Sequence, residues 1–106
     1  MTYCLVYITT QDEDEARQIG RTLVEEKLVA CVNIHPIQSI YRWEGKIQEE
    51  SEAAMLVKTR AELVDRVIER VTDLHSYEVP CIVSSLIDSG NPDYLKWIEE
   101  STREKG

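Results

Sequence analysis

Glu44-Gly45 sits between Ile40-Tyr41-Arg42-Trp43 and Lys46-Ile47 as a tight hairpin signal, with Gly45 able to supply a positive φ. The extended segments it joins run from about Ile34 to Thr59, which is long for a chain of 106 residues. The return strand begins polar, Gln48-Glu49-Glu50-Ser51-Glu52, and turns apolar at Ala53-Ala54-Met55-Leu56-Val57. The base of the hairpin therefore belongs in a core and its tip does not. The outer part carries Ile40, Tyr41, Trp43 and Ile47, which a lone arm leaves wet. Long exposed strand edges invite pairing with another chain, so a closed homo-oligomer with arms lying on neighbours is the economical arrangement. The competing arrangement folds the terminal helix back over the arm.

The remaining segments arrange themselves around that hairpin. Tyr3–Thr9 is apolar on both alternating faces and reads as a central strand covered on both sides. Thr10 or Asp12 opens a helix, with Asp12 and Glu15 at capping-box spacing. Ala16, Ile19, Gly20, Leu23, Val24 and Leu28 recur along it at helical spacing. Gly20 is unfavourable mid-helix, and a close helix–sheet contact is the expected reason. A second strand follows over Val29–Ile34 and is expected to break at Pro36, which has no N–H to give a ladder. A second helix is expected over Ala61–Leu74, then a loop, His75 to Pro80, and a fourth strand over Cys81–Ile87. Asn91-Pro92-Asp93 opens a third helix, with Asn91 as cap and Pro92 at the first helical position. The order β-α-β-β-α-β plus a terminal helix is the α+β, ferredoxin-like arrangement, as a single domain over residues 1–106.

Twelve Lys and Arg against twenty Asp and Glu leave a net charge of −8. Such a chain repels phosphate backbones, so nucleic acid and anionic membrane surfaces are poor partners. No apolar run approaches the ~20 residues of a membrane span, and the N-terminus shows no secretion signal. The three cysteines, Cys4, Cys31 and Cys81, form no CxxC pair. The count fits free thiols in a reducing cytoplasm better than a disulfide framework.

No nucleophile elbow, phosphate loop, dinucleotide fingerprint or zinc-protease motif is present, so the chain does not read as an enzyme. The rival reading uses His75 as a catalytic base, with no Cys within a few residues of it. Cys31, Cys81 and His75 together offer thiolate and imidazole donors, a set suited to copper or zinc. Against that, Cys31 and Cys81 lie in apolar segments, where free cysteine packs as a small hydrophobe. His75 closes a helix and begins a loop, where conspicuous polar residues on a rigid scaffold tend towards function. Tyr41 and Trp43 share one strand face. They suit an interface core better than an RNA-stacking platform on an acidic chain.

Several blocks taken together resemble the CutA family, the divalent-cation tolerance proteins. They are Leu23 to Ile34 with its Ala30-Cys31-Val32-Asn33, Ser39 to Lys46 with its Tyr41-Arg42-Trp43-Glu44-Gly45, Val57-Lys58-Thr59, His75 to Pro80, and Gly90 to Ile98. The match runs from about Tyr3 to Ser101. The resemblance implies a ferredoxin-like fold, a cytoplasmic homotrimer like the PII signalling proteins, and a role in tolerance of divalent metals including copper. It supports His75 as a metal donor, to which the reading of the residues adds Cys31, and Lys58, Tyr77, Glu78, Tyr41 and Trp43 are expected to line an inter-subunit cleft. A structural scaffold without a small ligand is the alternative role. The chain departs from the family pattern at Ser76, Cys81 and Ile8, and of the family's proposed copper ligands only His75 remains.

Overall fold

The computed structural model describes residues 1–103. The last three positions of the expected domain lie outside the described residues. The elements run β1 (Tyr3–Thr10), α1 (Glu13–Glu25), β2 (Cys31–Trp43), β3 (Lys46–Arg60), α2 (Val64–Leu74), β4 (Ile82–Ile87) and α3 (Pro92–Ser101). They build a four-stranded antiparallel sheet in the order β2-β3-β1-β4. This is the α+β, ferredoxin-like fold. The expected second helix is divided: Ala61–Leu63 form a 3-10 turn, and α2 proper starts at Val64.

Register assigns the faces. Cys4, Val6, Ile8 and Thr10 of β1 stand beside Thr59, Val57, Met55 and Ala53 of β3. All eight are buried, and they meet Ala16, Ile19 and Leu23 of α1 and Val67 and Val71 of α2. Gly20 permits the closest approach. A Cβ there would lie 3.2 Å from Val32 Cγ1 and 3.5 Å from Met55 Cε, so the helix rests on the sheet through bare backbone. Asp12 caps α1 by accepting from Glu15 N–H at 2.8 Å, and Glu15 Oε1 reaches back to Gln11 N–H at 3.0 Å.

The opposite face is covered less than expected. Tyr3, Leu5, Tyr7 and Thr9 of β1 are only half-buried. The cover on that face comes from α3, which Arg60 ties to β3. Arg60 Nε donates to Thr102 Oγ1 at 2.8 Å, and Nη2 donates to the Thr102 carbonyl at 2.9 Å. Asn91 Oδ1 accepts from Asp93 N–H and caps the helix, with Pro92 in its first turn.

The break at Pro36 does not occur. β2 continues through it, with Pro36 opposite Ala53. The reason is topological: β2 is the sheet edge. An edge position tolerates a residue without an N–H when that side of the backbone faces away from the ladder. The hairpin is therefore one unbroken pair from Cys31 to Lys58, turned by Glu44 and Gly45 at φ 49° and 78°. Two successive positive φ values suit the turn that matches strand twist. The terminal helix does not cover the arm: Ile40 stays 71% and Ile47 66% exposed.

A cleft between the hairpin arm and the loop after the second helix

The loop between α2 and β4 is held by three side-chain contacts. His75 Nε2 lies 2.7 Å from the Thr9 carbonyl, and His75 Nδ1 lies 3.0 Å from Tyr77 N–H. Only the neutral ring with its proton on Nε2 satisfies both, by donating to the carbonyl and accepting from the amide. Glu15 Oε2 accepts from Ser76 N–H at 2.8 Å, which binds the loop to the start of α1. Burial alone would raise the Glu15 carboxyl. The hydrogen bonds from Gln11 and Ser76 outweigh it and leave the group below its ordinary value.

The clamped loop turns the Tyr77 ring toward the arm. Its O–H donates to Glu52 Oε2 at 2.6 Å. Burial, then that bond, push the phenol well above its ordinary value. One step further out, Tyr41 O–H donates to Glu50 Oε2 at 2.8 Å, which raises the Tyr41 phenol as well. Between arm and loop lies a cavity of about 1010 Å³. Tyr41, Trp43 and Tyr77 form aromatic walls, Glu50, Glu52 and Glu78 supply carboxylates, and Tyr7 and Thr9 form the floor.

Four of the residues expected at a cleft, Tyr41, Trp43, Tyr77 and Glu78, thus line one cavity. Lys58 is not among them. It stands opposite Cys31 on the neighbouring strand, donates to Asn33 Oδ1, and lies 4.0 Å from Cys31 Sγ. Burial, then the neighbouring Cys31, push the Tyr94 phenol of α3 up at the same spot. Cys31 and His75 are not brought together. Thr9, which His75 touches, is level with Ala54 on β3, whereas Cys31 is level with Lys58. Four strand residues separate the levels by about 13 Å.

The expectation of core packing also fails for two cysteines. Cys31 is half-exposed and Cys81 is exposed, because β2 and the start of β4 lie at sheet edges. Only Cys4 is buried, and burial pushes its thiol up. Ile8, one of the positions where the chain departs from the resemblance, is fully buried in the helix-covered core. The donors do not fit a shared metal site. Both His75 nitrogens are engaged with backbone. Among the described residues no group of three or more His, Cys, Asp or Glu side chains could hold a metal ion.

Sequence reasoning placed Glu50 and Glu52 in the polar start of the return strand, outside the core, and missed them as parts of the cleft. The signal was present in the even spacing of Glu50, Glu52 and Ala54. It puts both acids on the same side of β3 as buried Ala54.

Residues 4–101 match the family model described as CutA1 divalent ion tolerance protein. The divalent-cation tolerance protein CutA of Thermus thermophilus is 48% identical over 99 residues, covering 92% of this chain and 96% of the relative. That of Archaeoglobus fulgidus is 47% identical over 96 residues, covering 91% and 94%. A solved structure of the Archaeoglobus fulgidus protein, described as periplasmic, superimposes with a TM-score of 0.94 at 44% identity, covering 95% of this chain and 99% of that one.

Proposed function

Because this chain belongs to the CutA1 divalent ion tolerance family, we propose that it is a non-catalytic, homotrimeric binding module. In this reading it supports metal-ion homeostasis by taking a small ligand at the cleft between arm and loop. The observation that carries the reading is the cleft itself. A cavity of about 1010 Å³ with aromatic walls and a few placed polar groups is the usual form of a small-molecule site.

The assembly rests on what one chain leaves bare. Ile40 and Ile47 on the arm and Val83 and Leu86 on β4 are 58–71% exposed, and both sheet edges are open. Apolar surface on unpaired edges favours closure with further copies. Arms crossing to neighbours would make the cleft an inter-subunit feature. The free thiols of Cys4, Cys31 and Cys81 support a reducing compartment, and the module is assigned to the cytoplasm.

Copper or zinc tolerance then runs through cleft occupancy and not through a metal bound by His75 and Cys31. Complementation separates the two routes. In a copper-sensitive host lacking its own family member, the wild type and Cys31→Ser should restore growth on copper. Trp43→Ala, checked for intact assembly, should not. Loss of rescue with Cys31→Ser and full rescue with Trp43→Ala would overturn the reading.

A further inference from the structure

Three carboxylates, those of Glu50, Glu52 and Glu78, line the cleft, and among the described residues of the chain no Lys, Arg or His side chain does. Glu52 is the decisive one. It is 8% exposed, faces the cavity, and takes a single hydrogen bond, from the neutral Tyr77 O–H on Oε2. No cationic side chain among the described residues pairs with it. No buried side-chain oxygen among the described residues lacks a partner, so the second oxygen of Glu52 stays accessible and presents the carboxylate to the cavity. The walls beside it are the rings of Tyr41, Trp43 and Tyr77. Aromatic faces attract cations electrostatically, and they do so best for weakly hydrated organic ones.

A bare divalent ion fits this arrangement poorly. Calcium-like ions take six or more oxygens converging at short distance, and magnesium requires a near-ideal octahedron. Here Tyr41 and Tyr77 each hold one oxygen of Glu50 and Glu52, and the described residues offer no metal-binding group of three or more such side chains. The volume, about 1010 Å³, is that of a pocket for an organic molecule.

We infer that the cleft selects an organic cation, a flat guanidinium or amidinium or a substituted ammonium, stacked between Trp43 and Tyr41 with its charge directed at Glu50 and Glu52. The inference rests on the proposed ligand cleft and adds the chemical class that the cleft admits.

The test uses three probes of nearly equal shape and different charge: benzamidinium, benzamide and benzoate. Titrations of the full chain are followed by calorimetry and by the indole N–H resonances of its two tryptophans. Trp43 lines the cleft, and Trp97 lies on α3, outside its lining. Benzamidinium should shift the Trp43 signal and leave Trp97 in place. It should bind roughly tenfold more tightly than benzamide, and benzoate should not bind. Glu50→Gln, at an exposed position, should lower benzamidinium affinity several-fold and leave benzamide unchanged, with its thermal midpoint checked against the wild type. Glu52→Gln should do the same if its thermal midpoint stays near that of the wild type.

Equal binding of benzamide or benzoate with a Trp43 shift would overturn the cation inference and leave the ligand cleft standing. Benzamidinium binding without a Trp43 shift, or without loss in Glu50→Gln, would reduce it to general attraction to an acidic surface and overturn it as well. No Trp43 shift with any probe, in a sample shown to be assembled, would overturn the inference and the cleft together.

Discussion

The imidazole of His75 is locked to the carbonyl oxygen of Thr9, 2.7 Å from Nε2, at the point where β1 ends and the cleft begins. Its other nitrogen holds the amide of Tyr77. One side chain thereby sets the position of the ring that walls the cleft. His75 acts on the site through Tyr77 and not as a free donor. Replacing it by Ala removes two hydrogen bonds in a half-buried place, a loss of about 1–3 kcal/mol. Amide exchange at Tyr77 should accelerate markedly in His75→Ala, with the strands unaffected. Unchanged protection at Tyr77 would refute the clamp.

Glu15 adds a pH dependence to the same loop. Its folded carboxyl lies below the ordinary value of 4.5, so the unfolded chain takes up the proton first as pH falls. The stability it contributes is complete above pH 4.5 and is lost as pH drops through the lower folded value. Glu26, held by Arg70 through paired bonds at 2.8 and 2.9 Å, is lowered in the same direction. Denaturation midpoints measured between about pH 6 and pH 3 should fall, and Glu15→Gln should show a shallower fall. An identical acid limb in that variant would contradict the assignment.

Tyr77 titrates in the opposite direction. Burial and its bond to Glu52 raise the phenol above its ordinary 10. Its contribution to stability is therefore full below pH 10 and is lost as pH rises through the folded value. Alkaline titration followed by phenolate absorbance should show a most alkaline step that Tyr77→Phe abolishes. If Tyr77→Phe leaves every step in place, the Tyr77–Glu52 bond does not persist in solution.

Gly20 tests the close contact of α1 with the sheet. Gly20→Ala gains up to about 1 kcal/mol of helix propensity, offset by a Cβ 3.2 Å from Val32 Cγ1. The net change in stability should be small. Gly20→Val adds branches where no space remains and should destabilise by about 1–3 kcal/mol. Chemical denaturation of the two variants measures both. A Gly20→Val protein as stable as the wild type would show that the contact is loose.

The fold was legible wherever local chemistry and tertiary placement agree. Period-2 alternation marked Cys4, Val6 and Ile8, the 3.6 spacing marked Ala16 to Leu23, and Asn91-Pro92 marked the start of α3. It was misleading where position in the sheet decided the outcome. Pro36 is harmless on an edge strand, and nothing in its neighbours states that β2 is the edge. Cys31 and Cys81 sit among apolar residues yet are not buried, because burial depends on what lies across the edge. The aromatic half of the cleft was visible in Tyr41, Trp43 and Tyr77. Its acidic half was not, since Glu52 is buried by a loop that approaches from 25 residues away. Lys58 lies level with Cys31, four residues along β3 from the Ala54–Thr9 level, so one chain alone does not bring it to the cleft.

The central claim is that arm, cleft and open edges belong to an assembly of three chains. Sedimentation equilibrium at micromolar concentration measures this without a ligand. The account predicts a single species of about three times the chain mass of 12.2 kDa. A species of one chain mass across the concentration range would contradict it, because the exposed Ile40, Ile47, Val83 and Leu86 would then have no partner surface.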